Sequence, residues 1–405
     1  MKIGIIADDL TSATDGAAPF VASGHACDVC LDARLAPAEI ADVVAIDKDS
    51  RSRTREEAVL RAQAATRQLA QADLLFHTVD STIRGHLESE ILATLHASGR
   101  KAALLAPAFP EAGRTTIDGM QWLHGEALSH TAYARDPIHP VTEHRLRYYF
   151  RSVNDSAIRH LSLAEVRSQA PNGHLLSNEE LIIADAEQQA DLDQLVASIA
   201  NPREILFCGS PGMAKSLAAR FQGAGVRPLA ISPAFSLLTV LGSANEISLA
   251  QKHRLIAMER TTEILIDARL ASSSPFMAMR AAIDRARLNA TGMTSLVIGT
   301  GFVERTGVEP RRVTEAIGLA AAEIIRSHPI DGMILTGGDT AAAVFRMLMV
   351  GRIGLAGEVE PGIPIGWIDM PRRMSVITKA GGFGDPDTLL RCAAKLLGAH
   401  VGACA

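Results

Sequence analysis

The chain has 405 residues, 47% of them hydrophobic and only 4% aromatic, with a formal net charge of −5. That length supports two or three domains with aliphatic cores, and the mildly acidic balance gives no footing for nucleic acid, which needs a basic face. The five cysteines are an odd set in a long chain and argue against a disulfide framework, while no apolar run approaches the ~20 residues of a membrane span.

The start, "MKIGIIADD", turns acidic too soon for a secretion signal, so a cytoplasmic protein is expected. Apolar runs then predict strands at 2–7, 27–31, 42–46, 73–79, 102–107, 180–185 and 204–209. They resume at 237–242, 262–267, 295–300, 332–337, 364–370 and 374–379. Longer segments of helical spacing lie between them, and such alternation means mainly parallel sheets covered by helices. The expected fold is α/β, with two domains, 1–230 and 231–405, and a ligand cleft between them. The roughly seventy residues before 180 are too long for a plain loop and predict an insertion bearing functional residues, or a small hairpin and helix.

In open α/β sheets, ligands bind beyond the carboxyl ends of the strands. In the first half those positions carry "ADDLTSATD", "DKDSRS", "DSTIRG" and "APAFPEAGRTT". Asp8 and Asp9, or Asp80 with Ser81 and Thr82, would also serve as plain helix caps. Arg51, Arg84 and Arg114 at strand ends of one sheet point further, because a guanidinium fork matches a carboxylate. The set suits a small hydroxylated acid. Cys27 and Cys30 form a C-x-x-C, but on a strand residues three apart face opposite ways, so no metal or redox role is expected.

The second half carries glycine-rich turns: "LGSANE", "LTGGDTAAAVF" and "KAGGFGD". Gly337, Gly338 and Thr340 open a helix whose first amides form an anion site. Asp339 is placed to bind Mg²⁺ or to take a proton from an attacking hydroxyl. No G-x-G-x-x-G accompanies these turns, which disfavours a dehydrogenase. A near-miss to a phosphate loop, "GSPGMAKS" at 209–216, has Ala214 where the second glycine belongs, and reads as a strand-to-helix turn instead.

Taken together, "IADDLTSATD", "DSRS", "DSTIRGHLESEI", "APAFPEAGRTTIDG", "TAYARDPIHPVTE", "FCGSPGMAKSLA", "LTGGDTA" and "KAGGFG" resemble the four-carbon acid sugar kinases, which include D-threonate, D-erythronate and 3-oxo-tetronate kinases. The resemblance covers the whole chain. It implies an N-terminal acid-sugar-binding domain, a C-terminal nucleotide-binding domain, and transfer of phosphate from ATP, with Mg²⁺, to the terminal hydroxyl of a four-carbon acid. It puts Asp8, Asp9, Arg51, Asp80, Ser81, Thr82, Arg84, Gly85 and Arg114 on the substrate side. Ser243, Gly337, Gly338, Asp339, Thr340, Gly381, Gly382 and Gly384 fall on the nucleotide side. Asp339 is the expected general base, with Asp9 the second choice, and Asp339 is also the candidate Mg²⁺ ligand. Three departures stand out: Ser12 replaces a usual glycine, His77-Thr78-Val79 stands where a lysine pair is common, and "LGSANEIS" is a poor match to the usual "SGSCS"-like turn that holds Ser243. A kinase for a longer aldonate and a non-catalytic acid-sugar sensor remain the alternatives. The expected partners are the acid sugar and ATP, without nucleic acid or membrane, and a homodimer is compatible with this reading.

Overall fold

The computed structural model describes residues 1–31, 41–136, 139–168, 181–226, 229–242, 246–258, 261–286, 295–300 and 308–398. The chain divides into two compact units, Met1–Arg227 and Pro228–Ala405.

In the first unit the elements are β1 (Ile3–Ala7), α1 (Leu10–Ala22), β2 (Cys27–Cys30), β3 (Val43–Asp47), α2 (Arg55–Gln68), β4 (Leu74–Thr78), α3 (Leu87–Ser98) and β5 (Ala102–Ala106). There follow β6 (Arg114–Ile117), β7 (Met120–Leu123), β8 (Glu126–Ala127), β9 (Ile158–Leu161), α4 (Leu163–Ser168), β10 (Leu181–Ala184), α5 (Gln189–Ala197), β11 (Ile205–Gly209) and α6 (Pro211–Arg220). The main sheet runs β2-β3-β1-β4-β11-β5-β10-β9, parallel throughout. Its central strands are mostly apolar because helices cover both faces, and β1, β3, β4 and β5 are buried at every position.

Local chemistry fixes the helix starts. Asp9 caps α1 by accepting from the Ser12 amide, Thr54 and Glu57 form a capping box on α2, and Ser210 with Pro211 opens α6. Gly16 lets α1 lie on the sheet, since a Cβ there would sit 2.6 Å from Thr78 Cγ2. At the amino ends of the strands, the Arg100 guanidinium donates to the carbonyls of Ala72 (3.0 Å), Asp73 (3.4 Å), Pro202 (2.6 Å) and Ile205 (3.4 Å). That single side chain ties together the approaches to β4, β11 and β5.

The long segment after β5 forms a small antiparallel sheet, β6-β7-β8, and then β9 and α4. This is the hairpin-with-helix outcome, elaborated by two more strands, β8 and β9.

The second unit contains β12 (Leu237–Leu241), α7 (Glu246–Ile256), β13 (Thr261–Ile266), α8 (Ala268–Ser273), α9 (Pro275–Ala286), β14 (Ser295–Thr300), α10 (Pro310–Ser327) and β15 (Gly332–Thr336). It closes with α11 (Gly338–Met347), β16 (Arg352–Glu360), β17 (Ile363–Asp369), β18 (Arg373–Lys379) and α12 (Thr388–Leu397). The strand order is β13-β14-β12-β15-β18-β17-β16. The first five are parallel, and β18-β17-β16 is an antiparallel meander. Every apolar run marked in the sequence is a strand here, and β16 is an addition. Its "RIGLAGEVE" loses its apolar pattern after Leu355, because the second half of the strand is only half-buried. No helix among the described residues is long and apolar enough to cross a membrane.

Candidate active site

In the first unit, the carboxyl ends of the adjacent strands β3, β1 and β4 deliver one ion-pair network. Arg51 grips Asp8 with two parallel bonds, Nε to Oδ2 at 2.7 Å and Nη2 to Oδ1 at 2.8 Å. Its Nη1 pairs with Asp9, and Nη2 also donates to Ser12 Oγ at 3.0 Å. Asp9 therefore does both things foreseen for it: it caps α1 and joins the charged cluster. Burial pushes the Asp8 carboxyl up, but the Arg51 guanidinium overcomes this and leaves it below the usual carboxylate range.

The "DSTIRG" loop closes the cluster from β4. Asp80 accepts from the Thr82 amide (2.9 Å), the Thr82 hydroxyl (2.8 Å) and Arg84 Nε (2.6 Å). Burial opposes its ionisation, yet Arg84 and Arg51 hold it far below the usual range. Ile83 has φ 58, a costly backbone for a β-branched residue. Gly85, at φ +99, lets the chain pass close to the network: a Cβ there would lie 3.1 Å from Asp8 Oδ2. Arg84 also reaches Asp136 at 3.5 Å and stacks over Tyr133, 5.2 Å from its ring centre.

The inserted sheet brings the last members. Arg114, first residue of β6, is 7% exposed and donates from Nη1 to Ser81 Oγ at 2.9 Å. Gln121 on β7 donates to the Ser81 carbonyl at 2.8 Å. All nine substrate-side positions thus fall within this network or border it. Asp49 and Glu111, also at strand ends, do not join: Asp49 pairs with Arg53, and Glu111 with Lys215. "GSPGMAKS" is the turn from β11 into α6, packed on the segment after β5 through Ser210 Oγ and the Ala108 carbonyl at 2.6 Å. Cys27 and Cys30 are buried free thiols.

Sequence reasoning missed three neighbours. Lys48, 2% exposed, donates to Glu90 Oε1 and Ser50 Oγ, both at 2.8 Å. Asp136 lies inside the quoted "ARDPIHPVTE" but was not singled out. Asp47 ends β3, accepts the Asp49 amide at 2.8 Å and is 5% exposed. Burial, with the charges of Asp9, Asp49 and Asp8, pushes its carboxyl up to about 8. An acid whose native pKa is raised above the unfolded value stabilises fully only below the unfolded value, and that stability is lost as pH rises towards about 8. Asp47→Asn, which keeps the acceptor for Asp49, should therefore match the parent near pH 4 and exceed it at pH 8 by roughly 5 kcal/mol. Melting curves at the two pH values check this; equal midpoints at pH 8 would refute it.

In the second unit, the three glycine turns come together, because β12, β15 and β18 are neighbours in the sheet. Gly337 has φ +96, which favours glycine, and its amide donates to the Lys379 carbonyl at 2.8 Å. Gly242 packs so tightly on Thr340 that a Cβ would lie 1.6 Å from its hydroxyl. Gly384, at φ +82, is pressed against Thr388 in the same way. Gly338, Asp339 and Thr340 form the first turn of α11, where amides lack intrahelical partners. Asp339 is exposed, and its carboxylate makes no hydrogen bond or ion pair among the described residues. Gly381 and Gly382 lie in the turn after β18. Ser243 lies outside the described residues.

Two family models cover most of the chain. Residues 3–217 match the family described as "Sugar-binding N-terminal domain", and residues 238–389 the one described as "Nucleotide-binding C-terminal domain". D-threonate kinase of Bordetella bronchiseptica is 30% identical over 96% of this chain and 96% of its own length, and that of Cupriavidus necator is 31% identical over 95% of each. The chain belongs to the four-carbon acid sugar kinase family. Other four-carbon acid sugar kinases match along nearly their full length, among them D-threonate kinase of Salmonella typhimurium, 29% identical, and D-erythronate kinase of Heliobacterium modesticaldum, 27% identical. A solved Salmonella typhimurium chain described as a putative tRNA synthase superposes with a TM-score of 0.79 over 98% of this chain and 99% of its own; at 22% identity that likeness speaks for the fold alone.

Proposed function

We propose that this four-carbon acid sugar kinase transfers the γ-phosphoryl group of ATP to the terminal, 4-hydroxyl group of D-threonate or D-erythronate. The observation that carries the reading is the network of Asp8, Asp9, Arg51, Asp80, Arg84 and Arg114 at the strand ends of the first unit. Acids accept from sugar hydroxyls, and guanidinium forks match a carboxylate. Arg51 is engaged through Nε and both Nη groups, so it orders Asp8 and Asp9 rather than gripping substrate. Arg84 uses Nε and Nη1, and its Nη2 donates to nothing among the described residues. Arg84 with Arg114 therefore holds the substrate carboxylate, while Asp8, Asp9 and Asp80 orient its hydroxyls.

Phosphoryl transfer is chiefly positioning and charge stabilisation. The glycine turns around Gly242, Gly337–Thr340 and Gly381–Gly384 hold the phosphates through backbone amides. Asp339, exposed and without a competing partner among the described residues, takes the proton of the attacking hydroxyl. The same carboxylate fits Mg²⁺, being an oxygen donor unengaged among the described residues and beside an anion site, and the ion would neutralise charge on the phosphate oxygens. Asp9 is the weaker base, because its carboxylate is occupied by Ser12 and Arg51.

ADP release with ATP·Mg²⁺ over D- and L-threonate, D- and L-erythronate and the 3-oxo acids tests the proposal. Turnover is expected on a D-tetronate, and Arg84→Gln should raise KM for that acid while leaving KM for ATP unchanged. Silence across the panel, with ATP bound, would overturn the four-carbon assignment.

A further inference from the structure

The turn after β18 is held in shape from its buried side. Lys379 is 1% exposed, and its Nζ donates to the carbonyls of Ala380 (2.8 Å), Gly381 (3.3 Å) and Phe383 (3.0 Å). From α7, Ser248 Oγ donates to the Gly381 carbonyl at 2.6 Å. Gln251 Nε2 donates to the carbonyls of Phe383 (3.1 Å) and Asp385 (2.8 Å). In a trans peptide the C=O of one residue and the N–H of the next point opposite ways. Capturing the carbonyls of Ala380, Gly381 and Phe383 therefore turns the amides of Gly381, Gly382 and Gly384 away from the core. Those three amides donate to nothing among the described residues, and Gly382 and Gly384 are exposed. Successive outward amides of this kind make an anion-binding concavity.

The charge balance points the same way. Among the described residues Lys379 pairs with no carboxylate. The titratable group acting on it from α12, Cys392, is a thiol that burial pushes up to about 12 and keeps neutral. A buried ammonium without a counter-charge is costly, and an anion on the outer side of the turn offsets that cost.

We propose that Lys379, assisted by Ser248 and Gln251, is a positioning residue that aims the three glycine amides at a phosphate of the nucleotide and supplies its counter-charge from behind the turn. The inference rests on the nucleotide reading of the second unit. It adds three residues that touch no substrate and that the glycine pattern alone does not mark.

The test measures, on the full chain, the affinity for ATP·Mg²⁺ and for adenosine by calorimetry, with KM for ATP and for the acid sugar. Lys379→Met should weaken ATP by about 10- to 100-fold and leave adenosine affinity and KM for the acid unchanged. Lys379→Arg should recover part of the loss. Ser248→Ala and Gln251→Leu should each weaken ATP by about 3- to 10-fold, and they decide the matter if Lys379→Met does not fold. Undiminished ATP affinity in the variants, or equal losses for ATP and adenosine, would overturn the proposal. Failure of the unaltered protein to bind ATP would instead remove the nucleotide reading, and this inference with it.

Discussion

Asp339→Asn is expected to lower turnover by about 10²- to 10⁴-fold while leaving KM for the acid sugar unchanged. The asparagine keeps shape and hydrogen-bonding capacity at the head of α11, so folding is not at stake. What it removes is the proton acceptor and the negative oxygen donor. The side chain is exposed and engaged with nothing else among the described residues, so a loss of rate has no structural explanation. Unaltered turnover would take Asp339 out of the mechanism. Asp9→Asn is the informative companion. Asp9 accepts from the Ser12 amide at 2.7 Å and pairs with Arg51, so its replacement should loosen the start of α1 and the acid site together.

The second large effect concerns stability. Arg51→Met leaves Asp8, 4% exposed, without its two parallel bonds. Removing one partner of a buried ion pair costs about 3–5 kcal/mol, because the other charge stays buried and uncompensated. Lysine should rescue poorly, since it lacks the fork. The pH dependence has a definite sign. The Asp8 carboxyl is held below its ordinary value in the native protein, so the pair stabilises above the unfolded pKa and that contribution is lost as pH falls through the native one. The deficit of Arg51→Met should thus be full at pH 7 and shrink below about pH 4. Urea unfolding followed by Trp122 in a Trp367→Phe background reports the first unit alone; a midpoint shift that is negligible at pH 7 would contradict the assignment.

Much of this was legible in the sequence, for physical reasons. Parallel strands covered on both faces are near-continuous apolar runs, so segments such as "LLFHT" and "GMILT" announce themselves. Residues just beyond them are placed by topology, so Asp8, Arg51, Asp80 and Arg84 could be grouped although they are far apart in the chain. What the pattern does not carry is who pairs with whom. Nothing in "DKDSRSR" separates Arg51, which meets Asp8, from Arg53, which meets Asp49. Lys48 and Glu90 are charged residues in segments that read as surface, and only the fold, which brings the residue after β3 beside α3, buries them as a pair. The strand β16 escaped because its second half is half-buried and breaks its apolar pattern. Lys379 looked like the polar end of a strand, and its ammonium instead organises the turn that follows.

The Arg100 side chain, bound to four carbonyls at the amino ends of the strands, has a bearing on descent. It pins β4, β11 and β5 at the rim opposite the one that carries the Asp8–Arg51–Asp80 ion-pair network. Alignment of these strands is then inherited from residues that no ligand sees. A lineage can exchange loop residues at the other rim one at a time without the strands slipping past each other.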